Sequence, residues 1–200
     1  MLPVILYALL WASFGAGHSL LAGARGHALL ARAAGAADRL AYNLIALCHL
    51  GLVLGIGAWT MRGAGAFALP APLGAAMTAM ALGGVAILLA GGRGYDLPRF
   101  LGLAQLRRGA AEHALGAEPL TVTGLNAWVR HPLYLGLLML LWGMARGRFA
   151  LATAILASAY VLIGIRFEEQ RLLRLHGAAY RAYRARVPML LPWKRPARTA

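Results

Sequence analysis

The chain has 200 residues, 60% of them apolar and only 13% charged, with a mean hydropathy of +0.65. So small a charged fraction cannot furnish the polar shell of an ordinary soluble domain, and so large an apolar fraction excludes a disordered chain. Twenty basic residues stand against six acidic ones, a formal net charge of +14, which leaves two broad classes: a nucleic-acid binder, or a membrane protein with basic cytoplasmic loops.

Leu2 to Ala22 is apolar and carries no formal charge. It lacks a basic n-region and further apolar runs follow, so it is expected as a retained first helix and not a signal peptide. Gly23–Arg39 is a basic connection. Leu40 to Met61 is the second apolar run and carries Asn43, His49 and the single cysteine, Cys48. One cysteine allows neither an intrachain disulfide nor a CxxC metal or redox site, and in this run it reads as a buried, inert thiol. After the Gly/Ala/Pro turn of Gly63–Pro72, Leu73 to Ala90 forms the third run. Gly92–Arg130 is a long loop of the kind that tends to carry function. Leu133 to Ala145 and Phe149 to Ile165 are shorter, and Arg146, Gly147 and Arg148 between them predict a tight helical hairpin. Beyond it, Leu172, His176, Tyr180, Tyr183 and Val187 fall on one helical face, with Arg174, Arg181 and Arg184 mostly elsewhere. This is expected as a cytoplasmic amphipathic helix, interrupted at Gly177 and ended by Pro188 and Pro192, that lies on the membrane or caps the bundle. The fold class expected is an all-α integral membrane protein: one domain over 1–200, about five transmembrane helices, and a cytoplasmic segment over 166–193.

The basic residues test that topology. With spans at 2–22, 40–61, 73–90, 133–145 and 149–165, one side of the membrane holds 17 of the 20 basic residues and the other only Arg62, Arg146 and Arg148. The positive-inside rule then sets the N-terminus outside and the C-terminus in the cytoplasm, as in a bacterial inner membrane. Topology accounts for the charge, so no nucleic-acid partner is expected.

Three polar clusters could carry chemistry. Arg130-His131-Pro132-Leu133-Tyr134 opens the fourth span, where proline suits a first helical turn and free backbone N–H groups favour an anion. The bland alternative is a snorkelling arginine with an interfacial His–Tyr anchor. Glu168 and Glu169 follow the fifth span. Carboxylates at a membrane edge are costly unless partnered or functional, and the bland alternative pairs Glu168 with Arg171 along the helix. The hairpin should bring Glu168 and Glu169 to face His131 and Tyr134, a setting suited to a ligand with a cationic centre, since carboxylates hold ammonium groups and an aromatic face attracts a cation. The third cluster is His18 near the inner end of the first span, with His49 in the second. Both can be packing histidines with hydrogen bonds inside the bundle, or haem ligands. No HExxH, GxSxG or Walker pattern occurs, and no metal site is expected.

The run Arg130-His131-Pro132-Leu133-Tyr134-Leu135-Gly136, then Glu168-Glu169-Gln170-Arg171-Leu172, Gly177, Tyr180, Tyr183, Val187-Pro188 and Pro192 resembles the isoprenylcysteine carboxyl methyltransferase superfamily of membrane methyltransferases. The front half, through Gly17-His18-Ser19, Asp38-Arg39-Leu40-Ala41-Tyr42 and Tyr95-Asp96-Leu97 with Phe100-Leu101-Gly102, resembles bacterial methanethiol S-methyltransferases and the related NnrU proteins. Where family members often have Gly-Xaa-Tyr before the RHP segment, this chain has Thr123-Gly124-Leu125-Asn126-Ala127-Trp128.

The resemblance implies S-adenosylmethionine as cofactor. His131, Tyr134 and Gly136 would line its pocket, Glu168 or Glu169 would bind its amino-acid part or ribose, Tyr180 and Tyr183 would shape the adenosyl side, and Arg130 would hold its carboxylate. His131 is also expected to be catalytic, and His18 is expected to touch the acceptor. The partners expected are a small-molecule or lipophilic acceptor, a small thiol first among them, and membrane lipid. A haem-binding NnrU-like protein is the alternative, motivated by His18, His49 and His131. A non-catalytic scaffold with its basic tail on anionic lipid is a third reading.

Overall fold

The computed structural model describes residues 2–63, 65–94, 96–108 and 120–193. Tyr95 of the Tyr-Asp-Leu motif, residues 109–119 of the long loop, and the tail residues Lys194, Arg195 and Arg198 lie outside them. Every regular element among the described residues is helical, so the all-α expectation holds. The chain divides into two compact units, Met1–Gly65 with Tyr95–Gly116, and Ala66–Gly94 with Ala117–Ala200.

In the first unit, α1 (Leu2–Ala22) and α3 (Asp38–Thr60) are long apolar helices that pack on each other. Between them lies α2 (Ala24–Ala34), joined to α3 by a single 3₁₀ turn over Gly35–Ala37. The 23–39 segment read from sequence as a plain connection is therefore helical. Gly26 makes the turn into α2 possible: a Cβ there would lie 2.3 Å from the Leu20 carbonyl oxygen. At the far end of the pair, Tyr7 is fully buried on Gly57, where an added Cβ would meet the tyrosine ring. Cys48 is exposed on the outer surface of α3 and not buried as expected. Two short helices complete the unit, α5 (Leu97–Leu101) and α6 (Leu103–Arg108). Asp96 caps α5 by accepting from the Arg99 N–H at 3.1 Å, and Gly102, at φ +88°, ends it. Phe100 then offers its carbonyl to Arg39 Nε (3.2 Å) and Asn43 Nδ2 (3.0 Å) of α3.

In the second unit, α4 (Ala71–Gly92) packs against α7 (Pro132–Gly143) along a seam of small residues. Gly84, Gly136 and Gly143 let the two backbones touch. A Cβ on Gly84 would lie 2.6 Å from the Gly136 carbonyl oxygen, and one on Gly143 would lie 2.6 Å from the Ala81 nitrogen. Such close approach is how helices associate where no hydrophobic force separates side chain from lipid. Residues 144–147 turn the chain into α8 (Arg148–Arg186), 39 residues long, whose helix breaks at Gly177 (φ 51°, ψ −117°).

Among the described residues, α1, the run Ala24–Thr60, α4 and α8 are each long and apolar enough to cross a membrane. α7 has 12 residues. At about 1.5 Å per residue it rises roughly 18 Å, short of the ~30 Å hydrocarbon thickness. The fourth of the five expected spans is thus a short apolar helix seated against α4.

Candidate functional site

The site grows from the start of α7 and the C-terminal half of α8. Pro132 occupies the first helical position, and His131 precedes it as the cap residue, with non-helical backbone at φ −127° and ψ 66°. Arg130 and His131 are tied to the chain end by two backbone bonds, Arg130 N–H to the Pro188 carbonyl (2.9 Å) and His131 N–H to the Met189 carbonyl (3.2 Å). Past Gly177, Tyr180, Tyr183 and Val187 are buried together, packed by Leu120, Val122, Leu172 and Leu173. The apolar face expected over 172–187 is therefore covered by protein, from α8 itself and from the segment that leads to the RHP motif. The Tyr183 hydroxyl fastens that segment by donating to the Asn126 carbonyl at 2.7 Å.

Glu169 is the centre of the cluster. Its Oε1 accepts from Arg130 Nε at 2.8 Å and Nη2 at 2.5 Å, and His131 Nε2 lies 3.4 Å away. Arg184 Nε stands 3.8 Å from Oε2. Burial raises the Glu169 carboxyl, but the bonds and charge of Arg130 outweigh it and hold the group below its ordinary range. Arg130 is equally committed: its side chain is 8% exposed, and Nη1 donates to the carbonyls of Val187 (2.6 Å) and Arg184 (3.3 Å). The guanidinium thus joins α7, α8 and the post-helical strand of chain in one clamp. Two of its acceptors are backbone carbonyls, which no residue pattern in the sequence announces.

Glu168 is different. Its Oε2 is buried, accepts no hydrogen bond, and faces His131 Nδ1 at 3.8 Å. Burial holds the His131 imidazole below its ordinary pKa, outweighing the two glutamates that pull it up. With His131 neutral, Arg130 is held by Glu169, and the unbonded Glu168 oxygen stands open to a cationic ligand. The Tyr134 ring lies beside the imidazole, centroids 5.7 Å apart and planes at 31°. Burial, with the Glu169 charge, pushes the Tyr180 hydroxyl up to about 12, so it is protonated at neutral pH. Burial and the neighbouring Tyr180 raise Tyr183 as well.

Of the residues expected here, the structure brings together Arg130, His131, Glu168, Glu169, Tyr180 and Tyr183, with Tyr134 against His131. Gly136 faces α4: a Cβ on it would lie 2.9 Å from the Gly84 carbonyl oxygen and 3.0 Å from the Leu88 side chain. Close helix packing accounts for glycine at that position. His18 belongs to the first unit, where its Nε2 is 2.6 Å from the Tyr42 hydroxyl. Arg184 and Asn126 were not singled out from the sequence, and only their contacts reveal them.

The fold and this cluster describe an all-α membrane protein with a cluster of carboxylates at the start of α7, one of whose buried oxygens, Glu168 Oε2, accepts no hydrogen bond. Compared with known proteins, the chain is 43% identical over 84 residues to a methanethiol S-methyltransferase of Mycobacterium tuberculosis, a match covering 38% of this chain and 34% of that one. It is 40% identical over 74 residues to methanethiol S-methyltransferase 1 of Bradyrhizobium diazoefficiens, covering 36% of this chain and 25% of the relative. To methanethiol S-methyltransferase 2 of the same organism it is 46% identical over 67 residues, covering 32% and 25%. The matches span about a quarter to a third of the length of these curated relatives. No protein-family model matches the chain, and no solved structure does. The names of these relatives lend the haem-binding alternative no support.

Proposed function

We propose that the chain, taken as one functional domain, is an integral-membrane methyltransferase that moves a methyl group from S-adenosylmethionine to a small thiol or other lipophilic acceptor. The observation that carries the reading is the buried cluster with its unfilled Glu168 oxygen, built from the linked Arg130–Pro192 motif. The names of the curated relatives support the same reaction.

The residues present suit the cofactor. An ammonium or a ribose hydroxyl supplies the donor that Glu168 Oε2 lacks, and the Tyr134 ring offers a face to a positive sulfur. Tyr180, protonated, offers a donor on the adenosyl side, with Tyr183 beside it. The bound cofactor supplies an activated methyl group on a sulfonium, transferred by in-line displacement. The chain's part is to position and to exclude water. Arg130, with its N–H groups on Glu169 and two carbonyls, is assigned a positioning role: it holds Glu169 and the chain end so that His131 and Glu168 face the ligand. His131, kept neutral, leaves the carboxylate charge for the cation. Gly136 permits the α4 contact that seats α7.

The bias of basic residues orients the protein with its N-terminus outside and its C-terminus in the cytoplasm, so the cofactor enters from the cytosol and a lipid-soluble acceptor from the membrane. The experiment is a calorimetric titration of the detergent-purified protein with S-adenosylmethionine. Saturable binding is expected, and no binding at about 1 mM cofactor, a free energy no better than about −4 kcal/mol, contradicts the reading.

A further inference from the structure

The His131 imidazole lies between the two glutamates of α8. Its Nε2 is 3.4 Å from Glu169 Oε1, and its Nδ1 is 3.8 Å from Glu168 Oε2. A neutral imidazole has one N–H, and a carboxylate can only accept. The shorter contact is the one with hydrogen-bond geometry, so Nε2–H donates to Glu169. Nδ1 then presents a lone pair to Glu168 Oε2, which is buried and accepts no hydrogen bond. Two acceptors face each other, and neither supplies a proton.

The neighbouring groups leave that gap to Nδ1 and Glu168. Arg130 spends Nε and Nη2 on Glu169, and Nη1 on the carbonyls of Val187 and Arg184. Arg184 Nε faces the other carboxylate, 3.8 Å from Glu169 Oε2. The Tyr134 ring lies beside the imidazole, and the Tyr180 hydroxyl is held protonated near Glu169. α4, which packs on α7, has no titratable side chain. The imidazole is 4% exposed, so water does not solvate a charge on it. A proton on Nδ1 therefore has Glu168 as its acceptor. An ammonium suits the same place, since it brings N–H donors and a charge opposite to the carboxylate. Proton and ammonium compete for one gap.

We propose that His131 is a proton lock on the ammonium subsite: a proton on Nδ1 joins the imidazole to Glu168 Oε2 and shuts out the cationic end of the ligand. The inference rests on the reading of the cluster as the S-adenosylmethionine site. With the lock open, the Nδ1 and Oε2 lone pairs both receive the ligand's ammonium. With the lock shut, Nδ1–H fills the gap from inside the protein, and the imidazolium repels the cation. The proton comes from water and returns to it. Burial sets the closing point below the imidazole's ordinary 6.5, so the lock is open at neutral pH and shuts as pH falls.

The test is calorimetric titration with S-adenosylhomocysteine between about pH 8 and 5.5, in pairs of buffers that differ in ionisation enthalpy. The ammonium stays charged over the acid half of that range. Wild-type affinity should be level above about pH 7 and weaken at least about twofold between pH 6.5 and 5.5, with a fraction of a proton released per ligand bound. His131→Gln keeps an amide donor for Glu169 and does not titrate, so its affinity should be independent of pH and its binding should release no proton. Glu168→Gln should show a smaller step, because the carboxylate that draws the proton to Nδ1 is gone. A step of wild-type size in either variant overturns the proposal. Wild-type binding that releases no proton at about pH 5.5 overturns it as well, whether or not the variants fold. A wild-type protein that binds neither S-adenosylhomocysteine nor S-adenosylmethionine at neutral pH overturns the cofactor reading, and this inference with it.

Discussion

Glu168 and Glu169 are neighbours in the chain, and their surroundings divide their work. Glu169 is 6% exposed and accepts the Arg130 fork, so Glu169→Gln leaves a buried guanidinium without its counter-charge. Breaking such a pair typically costs about 3–5 kcal/mol, which should appear as a lowered thermal midpoint in detergent. The Glu168 side chain is 40% exposed, and its buried oxygen has no hydrogen-bond donor. Glu168→Gln should keep the thermal midpoint and weaken S-adenosylmethionine binding at least about tenfold, the low end of what a charged hydrogen bond contributes. A variant that unfolds early and still binds cofactor normally would reverse these assignments. His131 adds a pH dependence. Its imidazole sits below its ordinary 6.5, so the unfolded chain takes up a proton before the folded one does. Stability from this residue is full above pH 6.5 and is lost as pH falls through that value towards the depressed one. A His131→Gln variant should lose less stability than wild type between about pH 7 and 5, and parallel unfolding curves in the two proteins would contradict the assignment. The sequence made Arg130, His131 and the glutamate pair legible, because their spacing around a hairpin already set them face to face. It did not show that Arg130 ends on the carbonyls of Arg184 and Val187, since a backbone acceptor has no residue signature.

Helices decide how those residues are held. α7 is short, and its seat on α4 depends on glycine at both sides of the crossing. A Gly136→Ala substitution puts a methyl 2.9 Å from the Gly84 carbonyl oxygen. It should cost about 1–3 kcal/mol, read as a lower midpoint with reduced cofactor affinity, because α7 carries His131 and Tyr134. At Gly177 the space is open, with nothing within 4 Å of an added Cβ, so only the backbone at φ 51° resists a side chain. Gly177→Ala should therefore cost about 1–3 kcal/mol from strain alone, and it should disturb the Tyr180–Tyr183–Val187 packing beyond the break. The hairpin, the break at Gly177 and the helix start at Pro132 could be read from the sequence through proline, glycine and a change of composition. α2 could not, because a search for runs of about 20 apolar residues passes over an 11-residue helix bearing two arginines. Nor could the sequence tell which face of α3 packs: a helix that is apolar all round has no stripe to show it, and Cys48 lies on the outer one.

For the whole molecule, composition and charge carry one message. A chain with six acidic residues in 200 places two of them side by side where a spanning helix leaves the apolar stretch, next to a histidine that burial keeps neutral. The basic residues, 17 on one side of the read topology and three on the other, carry the proposed orientation of the chain. A reporter fused after Gly63 should therefore report the outside and one at the C-terminus the cytoplasm, and the opposite pattern would contradict the orientation. The central claim is methyl transfer, and it is tested most directly by incubating the purified protein with methyl-labelled S-adenosylmethionine and a small thiol while trapping the volatile product. Labelled thioether should accumulate in proportion to protein and, at sub-saturating cofactor, fall at least about tenfold in Glu168→Gln. Labelled product no greater than in a protein-free control, across alkyl and aryl thiols, would contradict it.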